Sequence, residues 1–159
     1  MKKENKVTFQ FLAEPTDINF GGKVHGGAVM KWIDQISFAC ASNWSASYCV
    51  TVYVGGIRFH KPVQIGDLVK IDATIIYTGK TSMHIMVDVW SKTLIGENEF
   101  SKTTHCIIVF VAVNQDGEPI SVPEWVPETQ DEIKLETYAK KLMALRKDIE
   151  EEMAPFKQG

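Results

Sequence analysis

Val29, Trp32, Ile33, Ile36 and Cys40 stand at i, i+3, i+4, i+7 and i+11 of one another. That spacing places them on one face of an α-helix and predicts helix to about Ser42. Phe38 and Ala39 lie off the stripe, so this helix suits burial on more than one side. The surrounding segments have a different period. Residues 7–12 read as a short strand. Residues 48–59, YCVTVYVGGIRF, are rich in β-branched and aromatic residues, with Gly55 and Gly56 marking a bulge or a close approach. Residues 68–77 alternate in part. Residues 82–90 alternate fully, with Met83, Ile85, Val87 and Val89 on one side and His84, Met86, Asp88 and Trp90 on the other. Residues 100–113 are strongly apolar from Cys106 to Val111. Turn residues separate these runs at 61–67, 78–80, 93–98 and 114–117. One long helix followed by four closely linked strands favours an antiparallel sheet. The expected fold class is α+β, a curved antiparallel sheet wrapped around a long central helix.

Pro119, Pro123 and Pro127 mark an extended linker. Beyond it, residues 131–153 predict a second, charged helix with a narrow stripe of Leu135, Tyr138, Leu142, Leu145 and Ile149. Such a helix is solvated, with one edge docked on a surface or on another subunit. The expected organisation is a main domain over residues 1–127 and a charged C-terminal extension over residues 128–159. At 159 residues the chain can bury a sizeable core. The net charge of −3 gives no electrostatic case for nucleic acid as a partner. Cys40, Cys49 and Cys106 have no CxxC spacing and read as buried thiols of a reducing compartment. The first residues lack the apolar run of a signal peptide, and no window reaches the roughly 18 apolar residues of a membrane span. A cytoplasmic location with no membrane partner is the expectation.

The candidate chemistry gathers between Asp17 and Ser42. A glycine-broken loop, Asn19-Phe20-Gly21-Gly22, leads through His25-Gly26-Gly27 into the helix, and Asp34 is the only acid within it. An acid two turns into a mostly apolar helix costs stability unless it is paired, exposed or used. Gly26 and Gly27 allow close approach to the backbone, where free N–H groups carry the positive end of the helix dipole. Such a helix start polarises a carbonyl, and a carboxylate two turns away is placed to attack it or to activate a water. His60, His84 and His105 have no metal-ligand spacing, so no metal is expected.

Several stretches together carry a family likeness: Pro15-Thr16-Asp17-Ile18-Asn19 with Gly22, His25-Gly26-Gly27 with Asp34, Val50-Thr51-Val52, Phe59-His60-Lys61-Pro62, Ile65-Gly66-Asp67, Tyr77-Thr78-Gly79-Lys80-Thr81-Ser82, and the strand ending Val109-Phe110-Val111-Ala112-Val113. The chain resembles the hot-dog-fold acyl-CoA thioesterases, in the acyl-CoA hydrolase branch that includes bacterial YciA-like enzymes and the brain-type cytosolic enzyme. The likeness implies hydrolysis of fatty acyl-CoA to free acid and CoA. It also implies a homodimer whose two sheets run on as one, with active sites at the interface, assembled as a trimer of dimers. No cofactor is implied beyond the CoA of substrate and product.

By that resemblance Asp34 is the catalytic carboxylate, either general base on water or nucleophile. Gly26 and Gly27 donate to the oxyanion. Asn19 acts from the partner subunit, facing Asp34, although asparagine is also ordinary turn chemistry. His25 shapes the loop or hydrogen-bonds backbone, and counts with the substrate-binding residues rather than the catalytic ones. Gly79, Lys80, Thr81 and Ser82 form the turn that meets the CoA portion, with Arg58 and Lys61 as further contacts. Lys80 stands where many relatives carry arginine, which keeps the charge but loses the bidentate fork. The rival readings are an acyl-CoA-binding protein without catalysis and a hot-dog hydratase or dehydratase, which needs a His with a carboxylate at the site.

Overall fold

The long central helix, α1 (Gly26–Ser45), is held by its apolar stripe. Val29, Trp32, Ile33, Ile36 and Cys40 are buried as the spacing predicts. In this computed structural model, which describes residues 3–157, α1 runs three residues beyond Ser42. Tertiary contact explains the extension past a polar run. Trp44 is buried and its indole Nε1 donates to Pro123 O at 2.8 Å. Ala46 then ends the helix with a left-handed backbone, φ 55°. Ile36 sits at the centre of the core, fully buried; truncating such a side chain to alanine costs about 2–5 kcal/mol.

Five strands form one antiparallel sheet: β1 (Lys6–Leu12), β2 (Tyr48–Phe59), β3 (Leu68–Thr78), β4 (Ser82–Lys92) and β5 (Ser101–Val113). Their order is β1-β3-β4-β5-β2. β3, β4 and β5 are a meander, as their short turns require. β2 does not pair with β3, its neighbour in sequence; it crosses to lie beside β5, with Thr51 opposite Phe110. Both β1 and β2 are therefore edge strands. Residues 15–17 form a 3-10 turn (Pro15–Asp17) closed by Glu14 and Asp17.

The sheet buries apolar residues on both faces, so successive residues such as Ile75 and Ile76 are both fully buried. Ile75 packs into the main core with α1; Ile76 packs into a second cluster on the outer face with Ile107, Val109 and Ala139. The outer cover is α2 (Gln130–Met153), started by a capping box between Thr129 and Glu132. Residues 119–125 lace across the end of the sheet before α2, with Ile120 N bonded to Ala112 O and Val122 N to Lys80 O. Of the stripe expected to dock, Leu135, Tyr138 and Leu142 pack on the sheet. Leu145 and Ile149 are left exposed, lining an open cavity between α2 and Tyr53, Gly55 and Gly56 of β2.

Candidate active site

Among the described residues nothing neutralises the start of α1. His25 is the N-cap residue but its side chain makes no cap, and the first turn holds no acid. Among the described residues the first α1 amide with an acceptor is Val29 N, bonded to His25 O at 3.1 Å, and Gly26 and Gly27 are exposed. The amides before it keep the positive end of the helix open to an incoming group. A side chain would fit at either glycine. A Cβ on Gly27 meets nothing, and one on Gly26 only touches the Phe59 ring at 3.4 Å. The packing of this chain alone does not require glycine there.

Two turns on, Asp34 is exposed, and the edge strand reaches it. Thr51 Oγ1 of β2 donates to Asp34 Oδ1 at 2.6 Å, which fixes one carboxylate oxygen and leaves the other available. Gly27 and Asp34 share a cavity of about 300 Å³ with Ile33, Val54, Ile57 and Ile108. It is mostly apolar, with Lys31 at its rim, and suits an acyl chain beside one carboxylate. Among the described residues Asp34 makes no ion pair; its partner is a hydroxyl.

Asn19 lies in another cavity, of about 350 Å³, with Lys23, Gly26, Phe59, His60 and Lys61. Its Oδ1 accepts from Gly21 N at 2.9 Å and Lys23 N at 3.3 Å, so the side chain organises its own loop. Its Nδ2 has no partner among the described residues. Asn19 and Asp34 thus do not share a cavity within one chain. Lys61 Nζ bonds Ser101 Oγ at 3.0 Å. The His25 ring is exposed, while its backbone N–H donates to Asp17 O at 2.8 Å, which holds the loop against the helix start.

The turn at Gly79, Lys80, Thr81 and Ser82 contributes to neither cavity. Gly79 N bonds Ser82 O, and Thr81 O and Lys80 O accept from Ala112 and Val122. Lys80 itself is exposed. Arg58 is exposed on β2 opposite His105, without an ion pair among the described residues.

The outer face carries a polar network that the sequence did not announce. His105 Nδ1 meets Asp88 Oδ1 at 2.7 Å, His105 Nε2 meets the Tyr138 hydroxyl at 2.9 Å, and Lys102 pairs with Asp88 at 3.0 Å. Burial works to raise the Asp88 carboxyl, but the hydrogen bonds from His105 and Lys102 outweigh it and hold the group below its usual range. Burial pushes the Tyr138 hydroxyl up. This is the His–carboxylate pair that a hydratase would need, but it lies under α2, across the sheet from α1, where it fastens that helix. His84, buried nearby, is lowered to about 4 by burial and by the positive charge of Arg146.

A family model, the thioesterase superfamily, matches residues 21–95, which include Gly26, Gly27, Asp34 and Thr51. An uncharacterised acyl-CoA thioester hydrolase of Buchnera aphidicola is 38% identical over 74% of this chain and 89% of its own length. A solved apo-hexameric acyl-CoA thioesterase superposes with a TM-score of 0.84 at 31% identity, covering 90% of this chain and 91% of the other. The acyl-CoA hydrolase of Staphylococcus aureus, solved with butyryl coenzyme A, gives 0.85 at 26% identity over 95% and 92% of the two chains. That enzyme has also been solved with an aspartate and, separately, a threonine replaced by alanine, both at 25% identity to this chain. With this sequence likeness and this fold, the chain belongs to the thioesterase superfamily, among the hot-dog-fold acyl-CoA thioester hydrolases.

Proposed function

We propose that this protein hydrolyses the thioester of fatty acyl-CoA, with Asp34 as the catalytic carboxylate. The observation that carries the proposal is the exposed Asp34, oriented by Thr51 at 2.6 Å, in an apolar cavity headed by an uncapped helix start. In the Staphylococcus aureus hydrolase the replaced aspartate and threonine are separated by the same 17 residues as Asp34 and Thr51. The Gly26 and Gly27 amides receive the carbonyl oxygen as it gains negative charge; losing one such donor typically costs about 3–4 kcal/mol of transition-state stabilisation.

In the general-base form Asp34 takes a proton from water as the water oxygen bonds to the carbonyl carbon. The C–S bond then breaks, and the thiolate of CoA leaves and is protonated. In the nucleophilic form Asp34 makes that bond itself, and water opens the resulting anhydride. Single turnover in ¹⁸O-water tests the second form: label in Asp34 requires an anhydride opened by water at the Asp34 carbonyl, which the general-base form never makes. No cofactor enters either form; CoA arrives with the substrate and departs as product.

The second copy completes the site in this reading. The outer edge of β2 is open, with Tyr48, Val52 and Val54 exposed and Arg58 the only charge along its twelve residues. A long, apolar, unprotected edge is a template for another strand. Two chains joined there give one continuous sheet and bring Asn19 Nδ2 of one chain toward the partner's Asp34. Further pairing of dimers is supported by the hexameric relatives. The cationic cavity of Lys23, His60 and Lys61, together with the turn at Gly79, Lys80, Thr81 and Ser82, provides phosphate and pantetheine contacts for CoA, with Arg58 alongside.

Free-thiol release from acyl-CoAs of graded chain length tests the function. Turnover that depends on chain length is expected. Saturable binding with no thiol released would replace hydrolysis by the binding-only reading.

A further inference from the structure

The docked face of α2 continues beyond the sheet it docks on. Lys140 lies over the Tyr77 ring of β3 at 5.9 Å, and Arg146 lies over the Tyr53 ring of the edge strand β2 at 4.7 Å. Between these points α2 crosses the outer face of the sheet. After Arg146 it continues to Met153 and into a 3-10 turn (Ala154–Phe156). At 1.5 Å per residue that overhang is about 15 Å long, the width of roughly three strands. Every described residue from Lys147 onward is exposed. The overhang is nevertheless apolar in the register of the docked face. Ile149 and Met153 follow Leu142 at i+7 and i+11, and they are 51% and 49% exposed. Phe156 follows at 88%. Ile149 still faces the cavity it shares with Tyr53 of β2, whereas Met153 and Phe156 lie outside it; a helix that had only to cover its own sheet has no use for apolar residues there.

We infer that residues 147–156 are a clasp that seats Ile149, Met153 and Phe156 on the outer face of a second copy, across the β2 junction. The inference rests on the dimer through β2 proposed above. The occupant follows from position. The overhang projects past the open edge of β2, and the object that would lie there is whatever chain pairs with that edge. Two-fold symmetry makes the contact reciprocal, each copy contributing its own overhang. The cavity under the crossing point, lined by Tyr53, Gly55, Gly56, Leu145 and Ile149, opens at the same edge, so covering it removes further apolar surface from water.

The test is native mass spectrometry and sedimentation velocity of the full chain over a dilution series. It compares wild type, Ile149→Glu/Met153→Glu, a truncation after Lys147, and Ala144→Glu on the opposite side of the helix. Wild type is expected as dimers or multiples of dimers. The double variant and the truncation, with helical circular dichroism otherwise retained, are expected to fall to folded monomers at concentrations at least about tenfold above those at which wild type dissociates. Ala144→Glu is expected to match wild type. Dissociation of the double variant and the truncation at wild-type concentrations overturns the clasp and leaves the β2 dimer standing. Hexamers that fall only to intact dimers overturn it too, placing the overhang between dimers. Wild type that is monomeric at every concentration overturns the dimer itself, and with it the clasp.

Discussion

Thr51 Oγ1 lies 2.6 Å from Asp34 Oδ1, and through that contact the edge strand β2 sets the orientation of the one acid on the central helix. Both residues are exposed, so the bond does little to stabilise the fold. It holds a carboxylate in one rotamer beside an apolar cavity. Thr51→Val keeps the shape and removes the donor. A hydrogen bond to a charged group is worth about 1.5–3 kcal/mol, so kcat is expected to fall by about ten-fold or more. KM and Tm should stay near wild type. A shift in KM alone would place Thr51 in substrate binding rather than in orienting Asp34.

Gly27 offers a trade between stability and activity. Its Cβ would meet nothing in this chain, and alanine is the better helix former, so Gly27→Ala is expected to stabilise the fold by about 0.4–1 kcal/mol. The same methyl group would stand at the open helix start where the thioester carbonyl is to be received. Thiol release should fall at least about ten-fold while Tm rises. A variant that is both more stable and fully active would mean that the amides of Gly26 and Gly27 do not face the substrate.

Lys80 is exposed on its turn and free to meet a phosphate. Lys80→Ala is expected to raise KM for acyl-CoA a few-fold at low ionic strength, with kcat unchanged. The difference should shrink with added salt, as screening weakens exposed charge pairs. Equal KM values at low salt would return Gly79 to Ser82 to the status of a simple hairpin turn.

His84 gives the fold a pH dependence. It is lowered to about 4 in the folded protein, first by burial and then by Arg146. Unfolded, it titrates near 6.5. Between those values the unfolded chain binds more protons than the native one, so stability rises with pH in that window. The contribution is complete above about 6.5 and is lost as pH falls toward 4, amounting to at most about 3 kcal/mol. Chemical denaturation from pH 7 to 4.5 is expected to show wild type losing stability more steeply than His84→Leu. Parallel pH profiles would show that His84 protonates in place.

The sequence could be read wherever one contact period or one turn settled the outcome. The stripe from Val29 to Cys40 gave the central helix, and the alternation from Met83 to Val89 gave β4. Strand order was a different matter. β2 crosses to β5 rather than pairing with β3, and no local pattern encodes which partner a strand finds across the fold. The helix end was misplaced for a similar reason: Trp44 is held by Pro123, a residue far along the chain. Asp34 stood out as a lone acid in an apolar helix. Thr51 stood in a matching stretch, Val50-Thr51-Val52, but drew no role, because a threonine in a strand is expected on β-propensity alone. Leu145 and Ile149 were assigned correctly to a stripe, but periodicity shows a face and not what covers it: within one chain both stay exposed.

The most direct measurement is kcat for thiol release by Asp34→Asn, with assembly and circular dichroism checked against wild type. Asparagine keeps the size and can still contact Thr51, but it cannot accept the proton from water or form an anhydride as carboxylate does. General-base catalysis contributes typically about 10²–10⁴-fold, so kcat is expected to fall at least about a hundred-fold with KM little changed. A folded, assembled Asp34→Asn protein that turns over within about threefold of wild type would contradict the assignment and place the chemistry elsewhere.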